Sequence, residues 1–266
     1  MPVNLENYVR TWTRTIPTIP KPKRIFSILL ASGVLLGVCL TLCLPEAQAD
    51  DFFVYSPYVV QGQSELELLG HGFQDSRQAV SGEYAYQFSA AHAFTSWWKP
   101  EVYFGVYQHV PGGPQTLVAR EFENLFQLTA PGEYWADLGL LASYEYKTQP
   151  GDTSVLEFGP LMEKRAGRFV HRLNLIWEKP VGAGASRGYA FRSAYSLSYQ
   201  WYRGFAPGVE VYARPHDNAY QIGPVFYGEL ASAKGNELEY SAGVVLGANR
   251  SAPDRTFVLR LEYEFF

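Results

Sequence analysis

Cysteine is almost absent from this chain, and the two cysteines it has lie close to one end. Cys39 and Cys43 are the only ones among 266 residues, so we expect neither a disulfide framework nor a cysteine-ligated metal beyond residue 43. The sequence also lacks a glycine-rich phosphate loop and the His and Cys spacing of metal sites. We therefore predict no cofactor and no metal.

Long apolar runs are missing after residue 50, and so is an excess of positive charge. The mean hydropathy of −0.14 argues against a bundle of membrane-spanning helices. Residues 50–266 contain 17 Lys and Arg against 24 Asp and Glu, a formal net charge of −7. This charge disfavours nucleic acid as a partner.

The first 49 residues have the organisation of a targeting segment. A basic cluster around Lys23 precedes an uncharged run over residues 25–44, and Ala47-Gln48-Ala49 fits the small-residue rule for signal-peptidase cleavage. We predict a signal peptide over residues 1–49, cleaved near Ala49. The uncharged run is also about as long as a membrane anchor, which is the alternative.

After this segment the chain alternates between apolar and polar residues in stretches of about ten. Such alternation predicts strands with one apolar and one polar face, and about ten residues is the length of a tilted strand that crosses a bilayer. Gly, Pro, Asn and Asp separate the stretches. We predict strands over 63–73, 81–94, 100–110, 116–128, 134–147, 153–164, 169–179, 188–200, 207–214, 219–230, 237–248 and 256–266.

The last eleven residues, TFVLRLEYEFF, place five apolar side chains at period two and end on Phe266. An aromatic end on an alternating strand resembles the closing strand of Gram-negative outer-membrane β-barrels. The resemblance implies an assembly signal for the barrel assembly machinery at Tyr263, Phe265 and Phe266. It also implies that this strand pairs with the first one, near Glu65–Phe73.

Twelve strands with short connections predict an all-β fold, a closed antiparallel transmembrane barrel over residues 63–266. An even count is what a barrel with both termini at one end requires. A soluble sandwich or lipocalin-like barrel is the alternative, but such folds commonly use eight to ten strands. Residues 50–62 precede the barrel as a periplasmic or lumenal segment in which Pro57 disfavours a regular central strand.

The polar faces of the predicted strands are rich in carboxylates. Their candidate lumen-lining residues are Glu65, Glu67, Glu83, Glu101, Glu121, Glu123, Asp137, Glu145, Glu157, Glu163, Arg172, Glu178, Arg192, Glu210, Glu229, Glu239, Arg260, Glu262 and Glu264. Arg214 is a further basic residue on this face. Arg120 has the opposite parity, which indicates a bulge or a position near the membrane surface.

This lining has two interpretations. A narrow water-filled channel with excess carboxylates favours small solutes, cations among them. Alternatively, the charges pair across a filled lumen, and the barrel has a structural or interaction role. Twelve strands lie between the filled and the open sizes, so the strand count does not decide.

An enzyme is the third hypothesis, and the sequence gives it little support. Twelve-stranded outer-membrane phospholipases carry a His-x-Ser pair, which none of the five histidines forms here. His216-Asp217 lies in a predicted loop. We predict no catalytic residues, and outer-membrane lipids and small solutes as partners. Gly159-Pro160 and Gly223-Pro224 interrupt two strands, which predicts bulges or kinks there.

Overall fold

The computed structural model describes residues 52–231 and 236–266, and these form a closed barrel of twelve antiparallel strands. The predicted signal peptide and its cleavage site lie outside the described residues. The strands are β1 (Ser64–Gln74), β2 (Tyr84–His92), β3 (Trp98–His109), β4 (Gln115–Gln127), β5 (Asp137–Lys147), β6 (Ser154–Ala166), β7 (Phe169–Val181), β8 (Ala190–Tyr199), β9 (Ala206–Arg214), β10 (Ala219–Ala231), β11 (Glu237–Gly247) and β12 (Arg255–Phe265). In this part of the chain no helix is long and apolar enough to cross a membrane.

Each strand pairs with its neighbours in sequence, and β12 closes the barrel on β1. Ser64 pairs with Phe265 at one end of this seam, and Gln74 pairs with Arg255 at the other. The predicted fold class and the predicted closing pair are confirmed. We call the end that holds Ser64 and Phe265 the terminal end, and the opposite end the distal end.

The alternating pattern sorts the side chains into an inner and an outer face. In β1, Glu65 is 5% exposed, whereas its neighbour Leu66 is 51% exposed. The same contrast continues around the barrel, where large apolar residues such as Phe104, Phe158 and Phe257 are exposed on the outside. A continuous exposed apolar surface is costly in water and suits a wall that faces lipid.

The two Gly-Pro pairs lie within β6 and β10 without interrupting either strand. The predicted bulges at Gly159-Pro160 and Gly223-Pro224 are wrong, because the register on either side of each pair is the same. Strand β6 instead approaches β7 so closely that a Cβ on Gly159 would lie 1.8 Å from the Leu175 carbonyl oxygen, and Gly223 lies similarly close to Val244. Glycine therefore permits a close approach of strands at these positions.

Arg120 lies exposed on the outer face of β4, next to an irregularity in the β3–β4 ladder. The register shifts on both sides of Val106, which faces Ala119. Across the other ladder Arg120 pairs with Tyr146, next to the distal end of β5. Arg120 thus lies near the middle of β4, beside the irregularity that its parity indicated.

Candidate functional site: the occupied lumen

Residues 52–62, here called the lumen segment, lie inside the barrel and run along its axis. At the terminal end the Gly62 amide donates to the Ala93 carbonyl at 2.8 Å. Phe52 lies near the distal end, where its ring is 5.1 Å from that of His71 and 5.2 Å from that of Tyr212. An extended chain rises about 3.3 Å per residue, so eleven residues suffice to cross a band about 25 Å tall.

The backbone of the lumen segment is recognised by two side-chain amides rather than by a strand edge. The Tyr55 N–H donates to Asn174 Oδ1 at 2.7 Å, and Asn174 Nδ2 donates to the Tyr55 carbonyl at 3.1 Å. Four residues later the Val59 N–H donates to Gln127 Oε1 at 2.8 Å. Buried backbone groups need such partners, and a closed barrel has no unpaired edge to supply them.

Two tyrosines of the lumen segment donate to carboxylates of the wall. Tyr55 Oη donates to Glu123 Oε2 at 3.0 Å, and Tyr58 Oη donates to Asp137 Oδ2 at 2.6 Å. Asn174 belongs to β7 and Glu123 to β4, so Tyr55 connects two separated parts of the wall. Hydrogen bonds to charged acceptors are stronger than neutral ones and fix the segment's position.

Two valines of the lumen segment fill apolar patches of the inner wall. Val54 packs with Ala194, Tyr212, Val225, Val245 and Val258. Val59 packs with Ala93, Leu125, Leu141, Leu161 and Ile176. Between them Pro57 lies against Gly139, where a Cβ would be only 2.9 Å from the proline Cβ. The wall is thus shaped to the segment.

The acidic excess is concentrated on the wall near the terminal end. Lys99 pairs with Glu65, and Arg260 pairs with both Glu67 and Glu262. Glu101 accepts a hydrogen bond from Ser89. In the β11–β12 ladder Glu239 pairs with Glu262, and Glu264 pairs with Glu237. Apart from Glu237 at the terminal rim, this cluster therefore has six carboxylates and two cations. The Arg260 guanidinium also lies 4.3 Å from the Phe53 ring centroid, a cation–π contact with the lumen segment.

Elsewhere the inner charges are more evenly matched. Glu163 accepts from Arg165 and Arg172 at 2.7 Å each. Towards the distal end Arg192 lies between Glu157 at 2.5 Å and Glu178 at 2.9 Å, and Arg214 is 3.5 Å from Glu178. Buried charges are stable only when paired in this way.

The remaining predicted lumen-lining residues are spread over both halves of the barrel and its rims. Glu145 pairs with Lys147, and Glu210 accepts from Tyr212 and Tyr227 at 2.5 Å each. Glu121 is partly buried on the inner face of β4. Glu83 immediately precedes β2 and accepts from Gln108, and Glu229 pairs at 2.8 Å with Arg203 of the β8–β9 connection.

Several residues that define the lumen were not on the predicted list. Lys99, Lys147 and Arg165 add three inward cations, Asn174 and Tyr103 add buried polar groups, and Gln127 adds a half-buried one. Lys99 and Arg165 share the parity of Glu101 and Glu163, which is the signal that could have identified them. The two amides share the inward parity of Arg172 and Glu123, but parity does not identify the lumen segment as their partner.

The distal rim has a clamp between two connections. Asp75 accepts both guanidinium hydrogen bonds of Arg77 at 2.7 Å and the Asp254 amide at 3.1 Å, while Asp254 accepts the Ser76 amide at 2.8 Å. Hydrogen bonds from the Arg77 side chain hold the pKa of Asp75 well below its usual range. At the terminal rim the Glu237 carboxylate raises the pKa of Arg203.

Two clefts lie beside the lumen segment, and both touch Phe52. One, of about 330 Å³, lies against β1 to β3 and includes His71 and Gln87. The other, of about 420 Å³, lies against β7 to β10 and includes Arg214 and Gln221.

The described residues include one histidine–aspartate pair and one group of three carboxylates that resemble catalytic or metal-binding arrangements. His216 Nε2 is 4.0 Å from Asp217 Oδ1, too long for a hydrogen bond. Carboxylate oxygens of Glu65, Glu262 and Glu264 lie within 4.8 Å of one another. Because Lys99 already pairs with Glu65, a cation of the protein itself neutralises part of this cluster.

At the C-terminus Tyr263 and Phe265 stack with ring centroids 5.8 Å apart. Phe266 lies beyond β12 and is 75% exposed.

Solved structures resemble this barrel in fold. An outer-membrane channel from Pseudomonas putida F1 aligns with a TM-score of 0.51 and 13% identity, over 82% of this chain and 99% of the channel. A bacterial polysaccharide outer-membrane secretin aligns with a TM-score of 0.38 and 8% identity, over 77% and 99% of the two chains, which is too distant to carry an argument. No family model and no curated protein matches the sequence. The first likeness establishes the architecture alone.

Proposed function

We propose that this protein is an outer-membrane channel for small solutes, and that the lumen segment closes it in the conformation described above. The observation that carries this proposal is the occupied lumen. Hydrogen bonds to Asn174 and Gln127 and two apolar contacts hold the segment, and it forms no strand of the wall. These contacts can break and re-form while the barrel stays intact, whereas removal of a strand would open the barrel wall.

The proposed location and assembly rest on sequence features. A signal peptide over residues 1–49 is cleaved near Ala49, and the exposed apolar wall then enters outer-membrane lipid. Tyr263, Phe265 and Phe266 serve the barrel assembly machinery. The likeness to an outer-membrane channel supports the same location.

The proposed preference for certain solutes follows from the charged and apolar groups of the inner wall that line the lumen. The six carboxylates near the terminal end outnumber their two cations, which favours cationic solutes. The apolar patches around Val54 and Val59 would line the open lumen, so solutes with an apolar part are favoured over bare ions. Small solutes that combine both properties fit this lumen best.

Conductance in planar bilayers tests the proposal. The protein is compared with a variant that carries Val54→Asp and Val59→Asp, which places carboxylates in two apolar patches and leaves the wall unchanged. Val60→Asp is the matched control, since Val60 is already exposed. We expect several-fold higher conductance for the double variant alone.

A barrel with a permanently filled lumen is the second candidate, and the paired inner charges favour it. In that case the double variant, folded by circular dichroism, conducts no better than Val60→Asp. That result would reject the channel and leave a structural or interaction role.

A further inference from the structure

We infer that the lumen is a peptide-binding site, able to take an extended uncharged peptide from a separate molecule. The lumen segment is then an internal copy of the ligand. The site also explains why the inner wall carries amide and apolar groups that a simple ion path does not need. This inference concerns binding and stands whether or not the lumen conducts.

The first step is that the wall recognises a peptide backbone. Asn174 is 1% exposed, and its amide pairs with both the N–H and the carbonyl of residue 55. These two hydrogen bonds reproduce what a neighbouring strand offers to one residue. Gln127 repeats the recognition at the N–H of residue 59. Recognition of this kind does not depend on the side chain of the bound residue.

The second step is that the wall also selects side chains. Apolar patches receive residues 54 and 59, Glu123 and Asp137 receive the hydroxyls of residues 55 and 58, and Gly139 makes room for a proline at 57. Residues 52–60 read FFVYSPYVV and carry no charge. The ligand is therefore an extended peptide with two tyrosines three residues apart, a proline between them and a valine flanking each.

The third step is that only a short turn connects the lumen segment to the barrel. The lumen segment continues into β1 through one turn, in which the Gln63 amide donates to the Val60 carbonyl at 3.1 Å. Gln61 and Gly62 in this turn are exposed. A short tether raises the effective concentration of the segment to about the millimolar range, so a free peptide competes poorly with it. Cutting the tether removes that advantage and leaves every contact of the site in place.

The test uses the full chain with a protease site inserted between Gln61 and Gly62. After cleavage the protein is incubated with a fluorescent synthetic peptide that has the sequence of residues 52–62, and its binding is followed by anisotropy. A second peptide carries proline at the position of Tyr55 and so lacks the N–H that Asn174 accepts. The cleaved protein with Asn174→Leu is the matched receptor variant, and cleaved Asn124→Leu, altered on the outer face, is its control.

We expect saturable binding of the first peptide, or retention of the cleaved native segment against dilution. The proline peptide and the Asn174→Leu receptor should each bind about tenfold more weakly or worse, since each loses two hydrogen bonds. The receptor variant loses both amide bonds to residue 55, and the proline peptide loses the N–H bond to Asn174 and the Tyr55 hydroxyl bond to Glu123. Asn124→Leu should bind normally. Circular dichroism confirms that each receptor is folded.

Two results would overturn the inference. One is loss of the cleaved segment with no binding of the peptide by a folded barrel. The other is binding that neither proline nor Asn174→Leu weakens, since this is what nonspecific apolar adsorption gives. Neither depends on the bilayer conductance, so failure of the channel proposal and failure of this one are distinguishable.

Discussion

Tyr55 and Asn174 form a two-bond pair across the lumen, backbone to side-chain amide, although 119 residues separate them. The pair places a residue outside the sheet in a hydrogen-bonding position that normally belongs to a strand. Because the twelve strands form a closed barrel, no strand edge is free to bind the Tyr55 backbone. The side-chain amide of Asn174 makes these two hydrogen bonds instead.

Replacing Asn174 by leucine should release the lumen segment locally. The substitution keeps the approximate volume but leaves the Tyr55 N–H and carbonyl without their partner, at about 1–3 kcal/mol per buried orphan group. We expect faster hydrogen exchange at the Tyr55 amide and unchanged exchange in strands remote from it. Asn124→Leu on the outer face is the control, and equal exchange in the two variants would contradict the assignment.

Replacing Gly159 or Gly223 by alanine should impair folding of the barrel. In each case the new Cβ meets a backbone carbonyl oxygen of the next strand, at 1.8 Å for Gly159 and 2.0 Å for Gly223, so the strands must separate. Overpacking of this kind costs typically about 1–3 kcal/mol. Gly188→Ala, with no atom within 4 Å of its Cβ, should be neutral. Refolding yield into detergent micelles and denaturant midpoints measure the effect, and wild-type values for Gly159→Ala would contradict it.

The strands were predictable because each has its own alternation. The predicted span 63–73 became Ser64–Gln74, and 219–230 became Ala219–Ala231. The even strand count and the resemblance of the last strand to a closing strand together predicted the β1–β12 pairing. The prediction of bulges at the two Gly-Pro pairs was wrong. A proline without an N–H can either shift the register of the ladder or leave one hydrogen bond unmade in an unchanged register, and the sequence does not distinguish the two.

The path of the lumen segment was not predictable in the same way. Its contacts with Asn174, Glu123 and Asp137 join residues 68 to 119 positions apart, and the alternation that places these side chains on the inner face does not identify their partners. Lys99 was missed because the predicted third strand began one residue after it. The alternation of a strand predicts which side chains face the lumen. Which of these side chains contact one another depends on how the strands are arranged in the closed barrel.

Arg192 should contribute far more to stability than Arg203, although each lies between two glutamates. The Arg192 side chain is 6% exposed and that of Arg203 is 43% exposed. Arg192→Met removes the buried cation that pairs with both Glu157 and Glu178, at about 3–5 kcal/mol. Arg203→Met removes an exposed pair, at about 0–1 kcal/mol. Unfolding in denaturant measures both.

A rescue experiment separates charge from packing at Arg192. Adding Glu157→Gln and Glu178→Gln should restore most of the loss, because the two groups that lost the Arg192 cation are then neutral. If the triple variant is as unstable as Arg192→Met, the ion pairs are not the cause.

Acid should open the clamp at the distal rim only well below the usual range of an aspartate. Hydrogen bonds from Arg77 depress the pKa of Asp75, so its contribution is complete above the usual aspartate range and is lost as the pH falls through the lowered value. We expect the amides of Ser76 and Asp254 to keep their protection from hydrogen exchange at mildly acidic pH. Asp75→Asn should reduce that protection already at neutral pH, whereas Asp152→Asn in an exposed connection should not. Loss of protection within the usual aspartate range would contradict the clamp.

Neutralising carboxylates near the terminal end should reduce the cation preference of the opened channel. In the Val54→Asp/Val59→Asp background, Glu239→Gln and Glu264→Gln remove two of the six carboxylates of the cluster and leave Lys99 and Arg260 in place. The remaining charges are then four carboxylates against two cations, so the excess that attracts cations is halved. The reversal potential in a potassium chloride gradient should move towards zero by a clear fraction of its original value. Glu133→Gln, in the exposed β4–β5 connection, should leave it unchanged. An equal reversal potential in both variants would show that selectivity is set elsewhere along the lumen, and the charges around Arg192 would be the next to test.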